Sequence, residues 1–257
     1  MSTTDVDFNL NIAKARLGQC FVTVGVHPYH ANEIAEDPSS LDRLKNAVDT
    51  TLSQERSLVA AFGELGLDYD RTEHASKEVQ ISAFKSQLDL IVQEGWDLPL
   101  FLHCRAAFGD FTRIIKPYLP QLPRNGLVHS FVGSTAQMQE LIKLGLEVSV
   151  NGFSLKTRAS LDMVAAIPLE QLHLETDAPW GEIKSTSEVA TLYLKNAPAL
   201  PASKKKDKWD AHAMVKERNE SCTISRVAFV VAGLKDLSVE EVAEAAWQNS
   251  VRLFRLD

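Results

Sequence analysis

The sequence has no long apolar run and no excess of positive charge. No window reaches eighteen apolar residues, and the first thirty residues hold no apolar run behind a basic start, which argues against a membrane span and a signal peptide. Asp and Glu number 34 against 27 Lys and Arg, a net charge of −7, so no global basic field draws the chain onto long nucleic acid. We therefore expect a soluble cytoplasmic protein, with the nucleus as an alternative compartment, that holds any nucleic acid locally.

Cysteine is scarce, and several common catalytic motifs are missing. Cys20, Cys104 and Cys222 are widely spaced and odd in number, which fits a reducing compartment better than a disulfide framework or a zinc knot. A cysteine-phosphatase loop would need an arginine six positions after Cys104, where Asp110 stands. The phosphate-binding loop, the dinucleotide-binding glycine motif and the serine-hydrolase elbow are also missing. Water activated by a metal is the chemistry that is left.

Short apolar segments alternate with amphipathic ones along the chain. With 257 residues, 45% of them hydrophobic, the chain can bury the core of one α/β domain, and we expect a single domain over residues 1–257. Lys77–Glu94 has helical spacing of its apolar residues. Alternating strands and helices predict a parallel sheet, either open and doubly wound or closed as a (β/α)₈ barrel. The six predicted strands are Cys20–Val26, Leu58–Phe62, Leu98–Leu102, Gly126–Val128, Leu146–Val150 and Gln171–Leu174.

The alternation ends after the sixth strand. Ala178–Asn219 is predicted to be irregular, and it contains the basic run Lys204–Lys208. A solvated loop is the ordinary interpretation of this run, and a phosphate-contacting loop and a nuclear-import signal are the alternatives. Ser238 and Glu241 form a capping box that predicts the start of a last helix over Val239–Phe254.

Residues able to bind a metal follow the predicted strands. Glu64, His103, His129 and Asp177 each stand at the C-terminal end of a predicted strand. In parallel α/β folds, these ends meet on the face where binding sites form. A single histidine there is more often a hydrogen-bonded core residue, but burying four such groups without a shared partner would be costly. Mixed nitrogen and oxygen ligands suit Zn²⁺, Mn²⁺ or Mg²⁺, so we predict a divalent metal site.

Five segments in this order resemble the motifs of the TatD family of metal-dependent deoxyribonucleases, a TIM-barrel branch of the amidohydrolase-like hydrolases. They are Val24-Gly25-Val26-His27-Pro28, Gly63-Glu64-Leu65-Gly66-Leu67-Asp68-Tyr69, Leu102-His103-Cys104-Arg105, Val128-His129-Ser130-Phe131 and Glu175-Thr176-Asp177-Ala178-Pro179. Arg218-Asn219-Glu220 and Asn249–Phe254 are similar to the C-terminal signatures of the family. The resemblance extends from about Cys20 to the end of the chain, and the lysine-rich insert is similar to that of the eukaryotic branch.

The resemblance implies a TIM-barrel-type fold and a nuclease that hydrolyses DNA from strand ends. It implies that Glu64 is shared between two metal sites, that His103 and His129 complete one of them, and that Asp177 belongs to the other and orients the attacking water. Glu64 and Asp177 are then the catalytic carboxylates. The residues implied to hold the phosphate are His27, Arg105 and Lys156. The cofactor is a divalent ion, Mg²⁺, Mn²⁺ or Zn²⁺.

The family usually opens with metal-contacting residues on a first strand, followed by a second strand before the His-Pro segment. Only nineteen residues precede Cys20, and Asp5–Leu17 predicts at best a helix. We therefore expect a barrel that is incomplete at its N-terminus, with one metal site provided for in this chain and a second that lacks its first-strand partners. A metal-dependent hydrolase of small esters or amides and a catalytically impaired, truncated family member are the alternative interpretations.

Overall fold

A computed structural model of the chain describes residues 2, 5–37, 39–53 and 58–256. Its contacts divide the chain into two compact units. Unit 1 comprises Met1–His129, Leu144–Leu146 and Ser250–Asp257, and unit 2 comprises Ser130–Lys143 and Glu147–Asn249. In the described ranges, no helix has the length and apolar character needed to cross a membrane. The single domain over residues 1–257 and the cytoplasmic or nuclear location stay predictions.

Unit 1 is built on four parallel strands that are neighbours in chain order. These are β1 (Val22–Val24), β2 (Val59–Asp68), β3 (Leu100–Arg105) and β4 (Gly126–Val128). Its helices are α1 (Val6–Ala15), α2 (Asn32–Glu36), α3 (Ser39–Leu52), α4 (Lys77–Glu94) and α5 (Phe108–Ile115). The core between strands and helices is apolar, with Phe62, Leu65 and Leu100 fully buried and Phe84 stacked on Phe111. Burial of these large side chains stabilises the unit.

Two glycines of β2 stand where the backbone of β3 leaves no room for a side chain. The register of the two strands shifts between Gly63 and Leu65, so Glu64 is the extra residue of a β-bulge. Gly63 and Gly66 both have φ of 149°, which side-chain-bearing residues rarely adopt. A Cβ on Gly66 would lie 1.9 Å from the backbone oxygen of His103. The local sequence Gly-Glu-Leu-Gly thus lets β2 bulge at Glu64 without a steric clash.

Unit 2 contains a parallel pair, β5 (Glu147–Val150) and β6 (Leu172–Leu174). Its helices are α6 (Thr135–Lys143), α7 (Arg158–Ala166), α8 (Glu188–Tyr193) and α9 (Ile224–Lys235), and α10 (Val239–Phe254) contributes residues to both units. A second parallel pair consists of two-residue strands, β7 (Ser203–Lys204) and β8 (Met214–Val215). The prediction that residues 178–219 are irregular was therefore wrong for α8, β7 and β8.

The six predicted strands are confirmed, although their bounds differ. Gly126–Val128 has the predicted bounds, whereas the second predicted strand, Leu58–Phe62, continues as β2 to Asp68. β2 continues past its bulge and past Phe62, the end of the apolar run, because it stays hydrogen-bonded to β3. Lys77–Glu94 and Val239–Phe254 are helices with the predicted bounds. The capping box is present, since the Ser238 and Glu241 side chains accept hydrogen bonds from each other's backbone N–H.

Candidate metal centre

Three histidines of unit 1 converge on one carboxylate oxygen. Oε1 of Glu64 lies 2.8 Å from Nδ1 of His103, 2.6 Å from Nε2 of His129 and 3.3 Å from Nε2 of His27. The facing nitrogens of His103 and His129 are 3.2 Å apart. The structure thus brings together three of the four predicted metal ligands, Glu64, His103 and His129, and adds His27, which was predicted to hold phosphate.

Neighbouring strands of one sheet deliver these side chains. Glu64 lies in the bulge of β2 and His103 lies inside β3, so neither follows its strand as predicted. The apolar runs end before both residues, but the ladder between β2 and β3 continues to Asp68 and Arg105. His129 directly follows β4, and its N–H donates to the backbone oxygen of Leu102 at 2.9 Å, which extends the ladder by one residue.

His27 is held by the turn that follows it. Its Nδ1 accepts a hydrogen bond of 3.1 Å from the backbone N–H of Tyr29, in the short 3₁₀ helix Pro28–His30. Since Nδ1 is the acceptor, Nε2 carries the proton and faces Glu64. The imidazole is buried, and burial lowers its pKa despite the opposing effect of the Glu64 carboxylate. His27 is therefore held neutral, with its Nε2–H directed at Glu64.

Asp68 is a buried carboxylate that sequence analysis did not single out. Its Oδ2 lies 3.2 Å from Nε2 of His103 and accepts a hydrogen bond of 3.1 Å from the Tyr29 hydroxyl. Its Oδ1 accepts from the backbone N–H of Asp70 at 2.9 Å. Glu64 and Asp68 stand an even number of residues apart on β2, and side chains alternate between the two faces of a strand. That spacing was the signal that could have identified Asp68.

The cluster holds its acidic groups ionised. Burial alone would raise the pKa of Glu64, but the charge of His129 and the hydrogen bonds from the three histidines hold it well below its usual range. Burial alone would lower the pKa of His103, but the hydrogen bonds to Asp68 and Glu64 raise it. The site therefore combines a carboxylate that stays negative with the His103 imidazole, whose raised pKa means that it gives up a proton to bind a cation.

The donor set fits a divalent cation. One ligand atom each of His27, Glu64 and His103 lies within 4.8 Å of the others. Tetrahedral ligands at about 2.1 Å from Zn²⁺ are roughly 3.4 Å apart. The contacts of Glu64 with the three histidines, from 2.6 to 3.3 Å, are slightly shorter. A small outward movement of the side chains would therefore accommodate an ion.

The other predicted site residues lie in different surroundings. Arg105 is exposed at the end of β3, and its Nε donates a hydrogen bond of 3.0 Å to Asp70. Lys156 and Asp177 belong to unit 2. Nζ of Lys156 lies 4.3 Å from the centre of the Phe153 ring, a cation–π contact. Asp177 stands three residues after β6 in a left-handed conformation with φ of 54°. The roles of these three residues stay predictions.

Unit 2 also holds an acidic residue that sequence analysis gave no role. The carboxylate of Glu175 accepts hydrogen bonds of 2.5 Å from the Ser149 hydroxyl and 2.7 Å from the amide of Asn151. Asn151 and Ser149 are both buried, so these bonds fix the direction of the Glu175 side chain. The signal in the sequence was the pair of acidic residues Glu175 and Asp177 directly after a strand.

The chain is similar to known proteins over nearly its whole length. It matches the family described as TatD related DNase over residues 1–255. A relative named "Deoxyribonuclease Tat-D" from Schizosaccharomyces pombe is 45% identical over 244 residues, which cover 91% of this chain and 75% of the relative. A "3'-5' ssDNA/RNA exonuclease TatD" from Erwinia amylovora is 34% identical over 251 residues, covering 96% of this chain and 83% of the relative.

Solved structures extend the likeness to three dimensions. A crystal structure of an uncharacterized amidohydrolase from Saccharomyces cerevisiae has a TM-score of 0.89 at 29% identity and covers 98% of this chain and 86% of its own. A hydrolase TatD family protein from Entamoeba histolytica also has a TM-score of 0.89, at 28% identity, with 100% of this chain and 83% of its own covered. These likenesses confirm the predicted fold class.

Proposed function

The chain belongs to the family of TatD-related DNases, and we propose on this basis that it is a metal-dependent nuclease whose reaction is centred on Glu64. Deoxyribonucleases of this family are hydrolases that act on phosphodiester bonds. The observation that carries the proposal is the convergence of His27, His103 and His129 on one oxygen of Glu64. A carboxylate with two imidazoles, and a fourth position left for water, is a typical hydrolytic metal site.

Glu64, His103 and His129 are proposed to hold the ion. Bound there, a divalent cation would lower the pKa of water and polarise a phosphoryl oxygen. Asp68 keeps the His103 ring in place through its contact with Nε2, as carboxylates commonly do for metal-binding histidines. Because Nε2 of His27 carries a proton and lies 3.3 Å from Glu64, we propose that His27 steadies Glu64 beside the ion and donates to the phosphate, as the family resemblance implies.

The remaining roles complete the reaction. Asp177 is proposed to accept the proton of the attacking water, since a carboxylate is ionised at neutral pH and can act as a general base. Arg105 and Lys156 are proposed to neutralise charge on the phosphate, as cations do in phosphoryl transfer. Mg²⁺, Mn²⁺ and Zn²⁺ are the candidate ions, because carboxylates suit Mg²⁺ and Mn²⁺ and imidazoles suit Zn²⁺.

The proposed substrate is a single strand of DNA, attacked from an end. The Erwinia relative carries the name of a 3'-5' exonuclease of single-stranded DNA and RNA. The net charge of −7 gives this chain no broad basic surface for gripping long duplexes. A strand end needs only a local grip, supplied by the ion and a few cations.

The test is hydrolysis of end-labelled oligonucleotides by the purified chain. Single-stranded and duplex DNA, labelled at the 5' or the 3' end, are incubated with Mg²⁺, Mn²⁺ or Zn²⁺, or with EDTA. We expect stepwise shortening that needs a metal and is lost in Glu64→Gln. Glu36→Gln is the matched control, because Glu36 is an exposed carboxylate on α2. Hydrolysis that persists in EDTA or in Glu64→Gln would contradict the proposal, and turnover of small esters without cleavage of DNA would redirect it.

A further inference from the structure

Unit 2 contains a cavity of about 350 Å³ that the proposed reaction does not use. Three segments of the unit form its wall: residues 181–185, residues 199–203 and residues 219–227. The polar residues that matter here are Glu182, Ser185, Ser203, Asn219, Thr223 and Arg226. The cavity volume is enough for a small polar group such as a phosphate with its neighbouring atoms.

Arg226, at the start of α9, provides a charged donor that has no partner. Its Nε is buried and makes no hydrogen bond within the described part of the chain. Arginine keeps its charge at all accessible pH values, and a buried donor without an acceptor is rare in native proteins. A guanidinium nitrogen in this state indicates that an acceptor from outside the chain completes the site.

Two neighbouring polar side chains of the wall, Asn219 and Thr223, are already hydrogen-bonded within the protein. The amide of Asn219 donates to the backbone oxygens of Thr176 and Trp180 at 2.8 and 2.6 Å. The Thr223 hydroxyl donates to Oδ1 of Asn219 at 2.7 Å. Since these groups bond to each other and to the backbone, they hold the wall in place around Arg226. Nε of Arg226 thus lacks a hydrogen-bond partner although the side chains of Asn219 and Thr223 next to it have theirs.

A basic run follows one of the residues that line the cavity. Ser203 begins β7, and the basic run Lys204–Lys208 continues from it with every residue exposed. The ammonium of Lys204 bonds to Asp210. Glu182 also lines the cavity and is exposed. Arg226 and Glu182 are therefore the charged residues among those that line the cavity.

The loop that carries Asp177 also supplies part of the cavity wall. Gly181 lines the cavity and stands four residues after Asp177. Four residues of chain span at most about 14 Å. A short stretch of nucleic-acid strand covers such a distance, so one strand could meet both Asp177 and the cavity.

We propose that this cavity binds a phosphate group of the nucleic-acid strand, with Arg226 as the charged donor and the hydroxyls of Ser185 and Ser203 as neutral donors. The identity of the strand rests on the proposed nuclease function, whereas the phosphate chemistry rests on the cavity itself. Arginine is the residue best suited to phosphate oxygens, because its planar group presents several donors in one direction. A free phosphate offers the same oxygens, and the experiment separates the two sources.

The test measures binding of a short, phosphorothioate-linked single-stranded oligonucleotide at several salt concentrations, with divalent metal present. Arg226→Met should weaken binding about tenfold, the loss expected for one charged hydrogen bond. It should also make the slope of log K against log salt less steep by about 0.7, the contribution of one phosphate on a single strand. Arg226→Lys should keep the slope because it keeps the charge.

Two variants serve as controls. Arg158→Met removes an arginine of the same unit whose side chain is 87% exposed and pairs with Asp162, and it should leave affinity and slope unchanged. Glu182→Gln removes a negative charge from the cavity and should bind at least as tightly as the wild type. The melting temperature of Arg226→Met should not fall, because the change deletes a buried donor that has no acceptor. A purely structural role for Arg226 predicts a fall.

An unchanged affinity and slope in Arg226→Met would overturn the inference. If inorganic phosphate raises the melting temperature of the wild type but not of Arg226→Met, while the oligonucleotide slope is unchanged, the site takes free phosphate and the strand assignment is wrong. Turnover of cleavable DNA is measured on the same preparations. If the protein cleaves DNA but Arg226→Met leaves the salt slope unchanged, phosphate binding in the cavity is refuted and the nuclease function stands. If Arg226→Met changes the slope but no DNA is cleaved, phosphate binding stands and the nuclease function is refuted.

Discussion

Oδ2 of Asp68 lies 3.2 Å from Nε2 of His103, whose other ring nitrogen lies 2.8 Å from Glu64. Both carboxylates belong to β2, so one strand holds the imidazole of the next strand at both of its nitrogens. Asp68 is fully buried and also accepts from the Tyr29 hydroxyl. It therefore has little freedom to move away from His103.

Asp68→Asn should weaken metal binding by about 10- to 100-fold, the usual cost of losing a partner of a metal-binding histidine. Asparagine keeps the shape of the side chain and loses the charge that orients the His103 ring. Calorimetric titration with Mn²⁺ or Zn²⁺ measures the change. Asp37→Asn is the control, since Asp37 is an exposed carboxylate that pairs with Arg43. Equal affinities for Asp68→Asn and the wild type would show that Asp68 does not position His103.

Binding of an ion to the Glu64 cluster should stabilise the fold. With free metal at one hundred times the dissociation constant, the gain is about 2.7 kcal/mol. His129→Gln removes an imidazole that lies 2.6 Å from Glu64, so this variant should gain much less at the same metal concentration. The measurement is the melting temperature with and without Mn²⁺. His212→Gln, a change at an exposed histidine, should respond like the wild type, and an equal response of His129→Gln would exclude His129 as a ligand.

Sequence patterns predicted the regular elements well and the positions of the site residues less well. The helix Lys77–Glu94 has a serine cap and a glycine stop, signals that lie within its own sequence. The apolar run of the second strand ends at Phe62, whereas β2 continues to Asp68 because it keeps pairing with β3. Pairing of this kind depends on a distant segment and leaves no local signal. For the same reason a two-residue strand such as β7 was missed.

The family resemblance supplied the ligand roles, and the structure adds a contact that these roles did not include. The order of the motifs identified Glu64, His103 and His129. In the structure, both histidines contact Oε1 of Glu64. His27 was expected to hold phosphate, but it contacts Glu64. Nothing in the residues next to His27 indicates this contact, because it depends on how far β1 and β2 are displaced along each other.

Cys104 should be unreactive in the folded protein. Burial raises the pKa of its thiol to about 12, so near pH 8 almost none of it is thiolate, the form that reacts with disulfide reagents. We expect a thiol-disulfide reagent at pH 8 to label the exposed Cys222 quickly and Cys104 only after unfolding in denaturant. Mass spectrometry of the labelled peptides distinguishes the two sites, with Cys222→Ser as the control. Rapid labelling of Cys104 in the native protein would contradict the raised pKa of its thiol.

Gly66→Ala should destabilise the protein severely, by more than about 3 kcal/mol. Its φ of 149° is unfavourable for alanine, and the new Cβ would lie 1.9 Å from the backbone oxygen of His103. Relief of this clash requires β3 to move, which displaces His103 from Glu64 and removes the response to metal. Gly109→Ala is the matched control because a Cβ there meets nothing within 4 Å and the residue lies in α5. That change should stabilise the fold by about 0.4–1 kcal/mol. Urea unfolding of both variants measures the difference, and a Gly66→Ala protein as stable as the wild type would refute the close approach of β2 to β3.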